Sequence, residues 1–365
     1  MPQPLILLAA GGTGGHLFPA EALGVALMAR GLRVRLVTDA RALKFGGLFS
    51  RDMLDVVPSA TLSGRSPLAM ARTGTMLTIG TIGAIRLMRQ WTPAAVVGFG
   101  GYPTLPPLFA AMLMRIPSLI HDSNAVMGRA NRLLSSRVTA IATSLPGVLD
   151  RDPALAAKTT TTGTPMRPAI LAAAAVPYTA PDGEGPLRIL IVGGSQGARV
   201  MSDIVPPAVE KLPADVRRRL VLTQQVRDED RARVLAVYDR LQVQAELAPF
   251  FADLPARLAA NHLAISRSGA GTVAELAAIG RPSLLAPLPG ALDQDQFANA
   301  GVLQEAGGAI RIAQPDFTPE RLAAEISGLA AAPSRLAAMA AGARGVGRLD
   351  AADRLADLVV KVAKI

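Results

Sequence analysis

Apolar residues in this chain fall in short runs that stop at a glycine turn and resume at helical spacing. Leu5 to Ala10 is a continuous apolar run, as expected of a strand covered on both faces. Gly11-Gly12-Thr13-Gly14-Gly15-His16 follows as a tight turn, and Leu17, Ala20, Leu23, Gly24, Leu27 and Met28 then recur with the period of a helix. Gly31 reads as the C-terminal cap of that helix and Leu32 to Thr38 as the next strand. Strand, turn, helix and strand in this order open a parallel sheet, because two parallel neighbours must be joined by a crossover.

The same grammar returns about halfway along. Leu187 to Val192 is an apolar strand, Gly193-Gly194-Ser195-Gln196-Gly197-Ala198 its turn, and a helical pattern follows. Ala94 to Val97 runs into Gly98-Phe99-Gly100-Gly101-Tyr102-Pro103, and Leu263 to Ile265 into Ser266-Arg267-Ser268-Gly269-Ala270-Gly271-Thr272. Two halves built alike predict an α/β chain of two Rossmann-like, doubly wound parallel-sheet domains facing a central cleft. Pro177 to Pro186 is rich in Pro and Gly, and the hinge is placed slightly earlier, at Gly163-Thr164-Pro165. Asp350 to Ile365 reads as a terminal helix with Leu355, Leu358, Val359 and Val362 on its apolar side.

Composition narrows this without changing it. A chain of 365 residues suits two domains, and with aromatics at 4% the cores must be built from Ala, Leu, Val and Ile. Cysteine is absent, which removes disulfides, thiolate nucleophiles and Cys-based zinc sites. The formal charge of +10 fits a phosphorylated substrate, an anionic lipid surface or simply a genome that favours Arg codons. The basic residues are scattered and not interleaved with aromatics, so no nucleic-acid partner is expected. Arg217-Arg218-Arg219 reads as a solvated helix face. The N-terminus lacks a signal-peptide pattern, and the longest apolar stretch, Leu105 to Ile120, is broken by Pro106, Pro107, Arg115 and Pro117. The expected chain is cytosolic or peripheral.

A glycine turn between a strand and a helix presents backbone N–H groups at the positive end of the helix dipole, where an anion binds. Several such turns point to a phosphorylated ligand. No Gly-x-x-x-x-Gly-Lys-Ser/Thr occurs, and Leu17 stands where a dinucleotide fingerprint needs its third glycine, although Asp39 could imitate that fold's ribose-binding acid. His16, at the entry to the first helix, is placed at the sheet's C-terminal edge. There the helix terminus disfavours the protonated ring, as suits an imidazole that accepts a proton. His121 opens a polar cluster, His121-Asp122-Ser123-Asn124, at the same edge, whereas His262 reads as structural. Glu275, one turn into the helix opened by Ser268-Gly269-Ala270-Gly271-Thr272, can hold a ribose diol or serve as an N-terminal acid that favours the helix dipole. Asp293-Gln294-Asp295 has Asp-x-Asp spacing, but the pattern recurs at Asp150/Asp152 and Asp228/Asp230, so no metal site is assigned.

Taken in order, Gly11 to His16, Gly100-Gly101-Tyr102, Gly193 to Arg199, Arg267 to Glu275 and Asp293 to Asn299 resemble the MurG family of UDP-N-acetylglucosamine–N-acetylmuramyl-(pentapeptide) pyrophosphoryl-undecaprenol N-acetylglucosamine transferases. The sequence departs from that family's pattern at Asp122-Ser123, where Glu-Gln is usual, at Thr164, where Asn is usual, and at Asp295, where Gln is usual. The resemblance implies a GT-B type fold. Residues 1–163 would form an acceptor and membrane-associating domain and 164–346 a UDP-sugar domain, with a helix at about 347–365 packing back on the first.

It also implies roles for residues. Thr13, Gly14, Gly15 and Asn124 would face donor diphosphate and sugar, Arg167 and Ser195 the phosphates, and the backbone near Phe251 the uracil. Ala270, Gly271, Thr272, Val273, Ala274 and Glu275 would cradle phosphate and ribose, with Glu275 on the ribose, while Gln296 and Asn299 read the sugar hydroxyls. The implied reaction is inverting transfer of N-acetylglucosamine from UDP-N-acetylglucosamine to the muramyl 4-hydroxyl of lipid I, giving lipid II for peptidoglycan synthesis. His16 would be the base and Asp122 an orienter or alternative base, with no cofactor or metal required.

The acceptor's lipid tail would bring the chain to the cytoplasmic face of the inner membrane. Met76, Ile79, Ile82, Arg86 and Arg89 are expected to meet anionic lipids there, within an apolar stretch that also holds Leu77, Ile85, Leu87, Met88, Arg72 and Trp91. The rivals are another UDP-sugar enzyme of the same fold (a glycolipid synthase or epimerase), a nicotinamide dehydrogenase, and a non-catalytic nucleotide-sugar-binding subunit.

Overall fold

The computed structural model describes residues 3–11, 13–40, 49–59, 66–194, 197–290 and 294–365, with the side chains of 67–69 left aside. The chain divides into two compact units, Met1–Arg167 with Leu349–Ile365, and Pro168–Arg348.

In the first unit the strands are β1 (Leu5–Ala9), β2 (Arg33–Thr38), β3 (Leu54–Val56), β4 (Ala95–Gly98), β5 (Ser118–Asp122), β6 (Ala140–Thr143) and β7 (Thr159–Thr161). They form one parallel sheet in the order β3-β2-β1-β4-β5-β6-β7. Its helices are α1 (Gly14–Ala29), α2 (Pro67–Trp91), α3 (Leu105–Leu113), α4 (Arg129–Ser135) and α5 (Pro153–Ala156). The second unit contains β8 (Leu187–Val192), β9 (Leu220–Gln225), β10 (Gln244–Ala248), β11 (Leu263–Ser266), β12 (Ser283–Leu285) and β13 (Ala309–Arg311), in the order β10-β9-β8-β11-β12-β13, again parallel. Its helices run from α6 (Pro168–Ala174) through α7 (Arg199–Glu210), α8 (Ala214–Arg218), α9 (Asp228–Arg240), α10 (Leu254–Ala260), α11 (Ala270–Ile279), α12 (Asp295–Glu305) and α13 (Pro319–Ala330) to α14 (Pro333–Val346). The last helix, α15 (Ala351–Ala363), belongs to the first unit.

The apolar runs become central strands because alternate side chains feed opposite layers. From β1, Ile6 and Leu8 join a cluster with Leu23, Leu355 and Val359, whereas Leu7 and Ala9 join Leu108, Ala111 and Ile141 on the other face. Leu355, Ala356 and Val359 draw α15 onto the first sheet, and Arg30 adds a 2.6 Å bond to Asp357. The chain leaves the first unit after Arg167 rather than at Gly163-Thr164. Gly163 and Thr164 are tied to unit-one residues: Gly163 O accepts from the His121 ring, and Thr164 Oγ1 donates to Ser144.

Strand order places the ligand-binding edge. Each sheet grows outward first on one side and then on the other, so the turning points lie between β1 and β4 and between β8 and β11. Loops leaving the C-terminal ends of those strands flank a crevice in any open parallel sheet. The four glycine turns sit on those loops.

Candidate active site

In the first unit the turn after β1 enters α1 at Gly14, with Thr13 in extended backbone as the N-cap. Thr13 and Gly15 are exposed and His16 is partly exposed. The turn after β4 shows why two glycines are needed. Gly100 and Gly101 have φ of +90° and +78°, and Gly101 has ψ of 158°, a conformation open essentially to glycine alone. A Cβ at Gly100 would lie 3.3 Å from His16 Cε1, and one at Gly101 would lie 3.3 Å from His16 Cδ2. The imidazole therefore rests on a bare backbone turn that both admits it and fixes its height.

Next to it, β5 ends in two buried polar residues. The His121 ring is fully buried and pairs with Gly163 O at 2.9 Å. Burial holds this imidazole below its ordinary pKa, and the neighbouring His16 pushes it the same way against the Gly163 and Asp122 contacts, so it is neutral near pH 7. Asp122 is 2% exposed, and its carboxylate accepts from Asn124 N (3.0 Å), Gly128 N (3.0 Å) and Asn131 Nδ2 (2.8 Å). These bonds fold residues 123–128 into a fixed loop carrying Asn124. All three donors come from the loop and helix that follow β5. Asn131, buried on α4, completes the cluster and was not found from sequence. Its only signal was an amide in a short helix following the polar run.

Arg167 belongs to this unit as well. Its guanidinium stacks 3.6 Å from the centroid of Phe18, and a Cβ at Gly14 would come within 2.8 Å of Phe18 Cε2. Gly14 thus makes room for the ring that carries Arg167. Phe18 also went unnoticed, because in sequence it looks like one more apolar helix position.

In the second unit the turn after β8 is folded so tightly that a Cβ at Gly193 would meet Ala198 N at 2.1 Å. Gln225 Oε1 accepts from Gly193 N (3.0 Å) and Arg227 donates to Gly197 O (3.2 Å), pinning the turn to the end of β9. Ser195, like Asp293 and Gly12, lies outside the described residues. The Phe251 ring is 7% exposed beneath the Arg257 guanidinium (4.4 Å), after β10, while Phe250 beside it is 69% exposed.

The turn after β11 leads through Gly269, the N-cap, into α11, so Ala270 to Glu275 are its first residues. Ala270, Gly271, Thr272, Ala274 and Glu275 are partly exposed, whereas Val273 is buried. Arg267 and Ser268, preceding them, are buried. Arg267 donates to Ala286 O (2.9 Å), Pro287 O (3.0 Å) and Gln314 Oε1 (2.6 Å), and burial pulls its guanidinium below its usual pKa. Ser268 Oγ donates to Gln296 O at 2.8 Å. Gln296 is partly exposed, and its side-chain oxygen accepts from Leu288 N (3.0 Å). Asn299 is 1% exposed, with Nδ2 donating to Ser268 O (3.3 Å), so in this conformation it braces the α11 entry. Among the described residues no three histidines, aspartates or glutamates converge as metal ligands.

The apolar stretch of α2 divides into two faces. Met88 is fully buried, and Leu77, Ile85 and Leu87 pack against the core. Ile79 and Ile82 are 50% and 47% exposed, Met76 is partly exposed, and Arg72, Arg86 and Arg89 are exposed. Trp91 is held by Arg35 (3.8 Å) rather than standing outward with the arginines. Thr75, Thr78 and Thr81 turn their hydroxyls back to carbonyls four residues earlier, at 2.7–3.0 Å, which satisfies their polar atoms within the helix. Beside α2 runs an open groove of about 540 Å³, lined by Leu77, Ile82, Phe109, Met112, Leu113 and Arg137, among others. No helix of the described residues is long and apolar enough to cross a membrane. Arg219 is not on a solvated face, since its guanidinium donates to Asp182 O and Gly185 O.

Two such units, each with glycine turns at its switch point, fall here in a sugar-transferring class, as two family matches show. Residues 6–143 match the glycosyltransferase family 28 N-terminal domain and residues 188–355 the family 28 C-terminal domain. The chain is 78% identical over 364 residues (100% of this chain, 97% of the relative) to the UDP-N-acetylglucosamine–N-acetylmuramyl-(pentapeptide) pyrophosphoryl-undecaprenol N-acetylglucosamine transferase of Rhodopseudomonas palustris (strain BisA53). It is 76% identical over 362 residues (99% and 98%) to the Nitrobacter hamburgensis protein of the same name. The chain belongs to that transferase family, the MurG family. Among solved structures, Acinetobacter baumannii MurG is 29% identical with a TM-score of 0.78, covering 99% of this chain and 100% of that one. A Neisseria meningitidis UDP-GlcNAc 2-epimerase bound to UDP-GlcNAc has a TM-score of 0.67 at 13% identity over 98% and 100% of the two chains, a likeness of fold alone.

Proposed function

We propose that this enzyme transfers N-acetylglucosamine from UDP-N-acetylglucosamine to the 4-hydroxyl of the N-acetylmuramyl sugar of lipid I, with inversion, forming lipid II for peptidoglycan synthesis. The observation that carries this reading is 78% identity over the whole chain to a transferase named for that reaction. In the proposed chemistry His16 accepts the acceptor hydroxyl's proton as its oxygen bonds to the anomeric carbon. The bond from that carbon to the diphosphate oxygen breaks, and UDP leaves with the electron pair. The partly exposed His16 ring, seated on the Gly100-Gly101 turn, suits that role. Backbone N–H groups at the start of α11 meet the diphosphate charge without a metal or cofactor. Asp122 holds the loop bearing Asn124, Glu275 takes the ribose, and Gln296 reads the sugar.

Ile79, Ile82 and Met76 enter the surface of an anionic membrane at its cytoplasmic face while Arg86 and Arg89 meet headgroups. Their exposure beside the apolar groove of α2 supports this. Calorimetric titration with UDP-N-acetylglucosamine, UDP-glucose and NAD, followed by transfer to lipid I, tests the whole. Selective binding of the first with formation of lipid II is expected, and binding of NAD alone refutes it. A folded His16→Ala variant that keeps near-normal turnover removes His16 as the base.

A further inference from the structure

Ser268 lies at the junction of two helices with separate tasks in the proposed reaction. It is fully buried, so it cannot touch a ligand, yet its hydroxyl donates to Gln296 O (2.8 Å) and its carbonyl accepts from Asn299 Nδ2 (3.3 Å). One residue at the entry of α11 therefore holds both ends of the first turn of α12. Arg267, its neighbour, fixes the chain between β12 and α12 through Ala286 O and Pro287 O. The next residue along, Leu288, donates its N–H to Gln296 Oε1. That bond sets the Gln296 amide with its oxygen toward the loop and its NH₂ toward the opposite side.

We infer that Ser268 is a specificity-determining positioning residue, which transmits the placement of the nucleotide helix to the sugar-reading residue Gln296. The inference rests on the proposed donor, but it concerns a residue that makes no donor contact. Without the Ser268 hydroxyl, α11 keeps its own N-cap and backbone donors, so nucleotide binding persists. The α12 turn loses its fixed height, and recognition of the hexose weakens. A defect in general folding would instead weaken both alike.

The test compares Ser268→Ala with the unaltered enzyme in three readouts: affinity for UDP, KM for UDP-N-acetylglucosamine, and the kcat/KM preference for it over its 4-epimer, UDP-N-acetylgalactosamine. UDP affinity within about twofold is expected, with a KM raised about fivefold and a preference reduced by a similar factor, the scale of one buried hydrogen bond. Ser268→Cys, of similar size with a weaker donor, should fall between the two, and it serves if the alanine variant does not fold. Equal loss of UDP and UDP-sugar binding, or an unchanged preference in a folded variant, overturns the inference. Failure of the unaltered enzyme to use UDP-N-acetylglucosamine would instead refute the proposed donor, and is read separately.

Discussion

Gly101→Ala gives a direct measure of how the His16 seat is built. Gly101 occupies φ +78°, ψ 158°, where a side chain costs about 1–3 kcal/mol. The new methyl would also lie 3.3 Å from His16 Cδ2 and 3.5 Å from Pro103 Cδ, so the ring must shift by a few tenths of an ångström or the turn must rearrange. With a urea slope of about 2 kcal/mol per molar, that strain moves the unfolding midpoint of the first unit down by roughly 0.5–1.5 M. Turnover should fall about tenfold or more, since small displacements of a reacting group are costly. Gly15→Ala is the control. It adds a methyl with no heavy atom within 4 Å, so stability should change by no more than about 0.5 kcal/mol. Its methyl would stand on the exposed surface assigned to the donor, and transfer should still drop. If Gly101→Ala leaves both urea midpoint and turnover unchanged, the glycine turn does not position His16 and the reasoning fails.

Asp122→Asn places an NH₂ against at least one of the N–H donors that the carboxylate now accepts, so kcat should fall at least about tenfold through loss of a charged hydrogen bond. The acid limb of its pH–rate profile should stay where it is, and disappearance of that limb would make Asp122 a base. Unfolded His121 titrates near 6.5 while the folded ring resists protonation, so the unfolded state takes up more protons as pH falls through that value. Stability from this site is complete above pH 6.5 and declines below it, and His121→Gln should flatten the pH dependence of chemical denaturation there. Reversing charge at Arg86 and Arg89 together should weaken sedimentation with anionic vesicles severalfold at low salt while leaving UDP affinity intact. Unchanged vesicle binding would discard α2 as the membrane face.

Much of this was legible because glycine turns and apolar runs have direct physical signatures. Leu5 to Ala10 and Leu187 to Val192 could be read as central strands, and the turns following them as N-terminal ends of helices. The places of Asn131 and Phe18, and the bracing contact of Ser268 within its turn, were invisible for a shared reason. Their importance comes from what folds against them: Asp122 nine residues away, Arg167 far along the chain, and the start of α12. The stretch around α2 shows the opposite limit. Its composition announced an apolar helix, but only packing separates Met88, buried in the core with Leu108 of α3, from outward Ile79. Asn299 likewise reads as a sugar contact in a motif, while its burial and its bond to Ser268 O emerge from the tertiary arrangement.

The return of α15 to the first sheet has a consequence for biosynthesis. Unit two is an uninterrupted segment, Pro168–Arg348, set between two pieces of unit one. On the ribosome, unit two can therefore close its core while unit one still lacks Leu355 and Val359, whose place on the first sheet stays uncovered until the final helix emerges. Nascent chains stalled before Leu349 should expose that strip of sheet to chaperones, and release of the last turns should bury it.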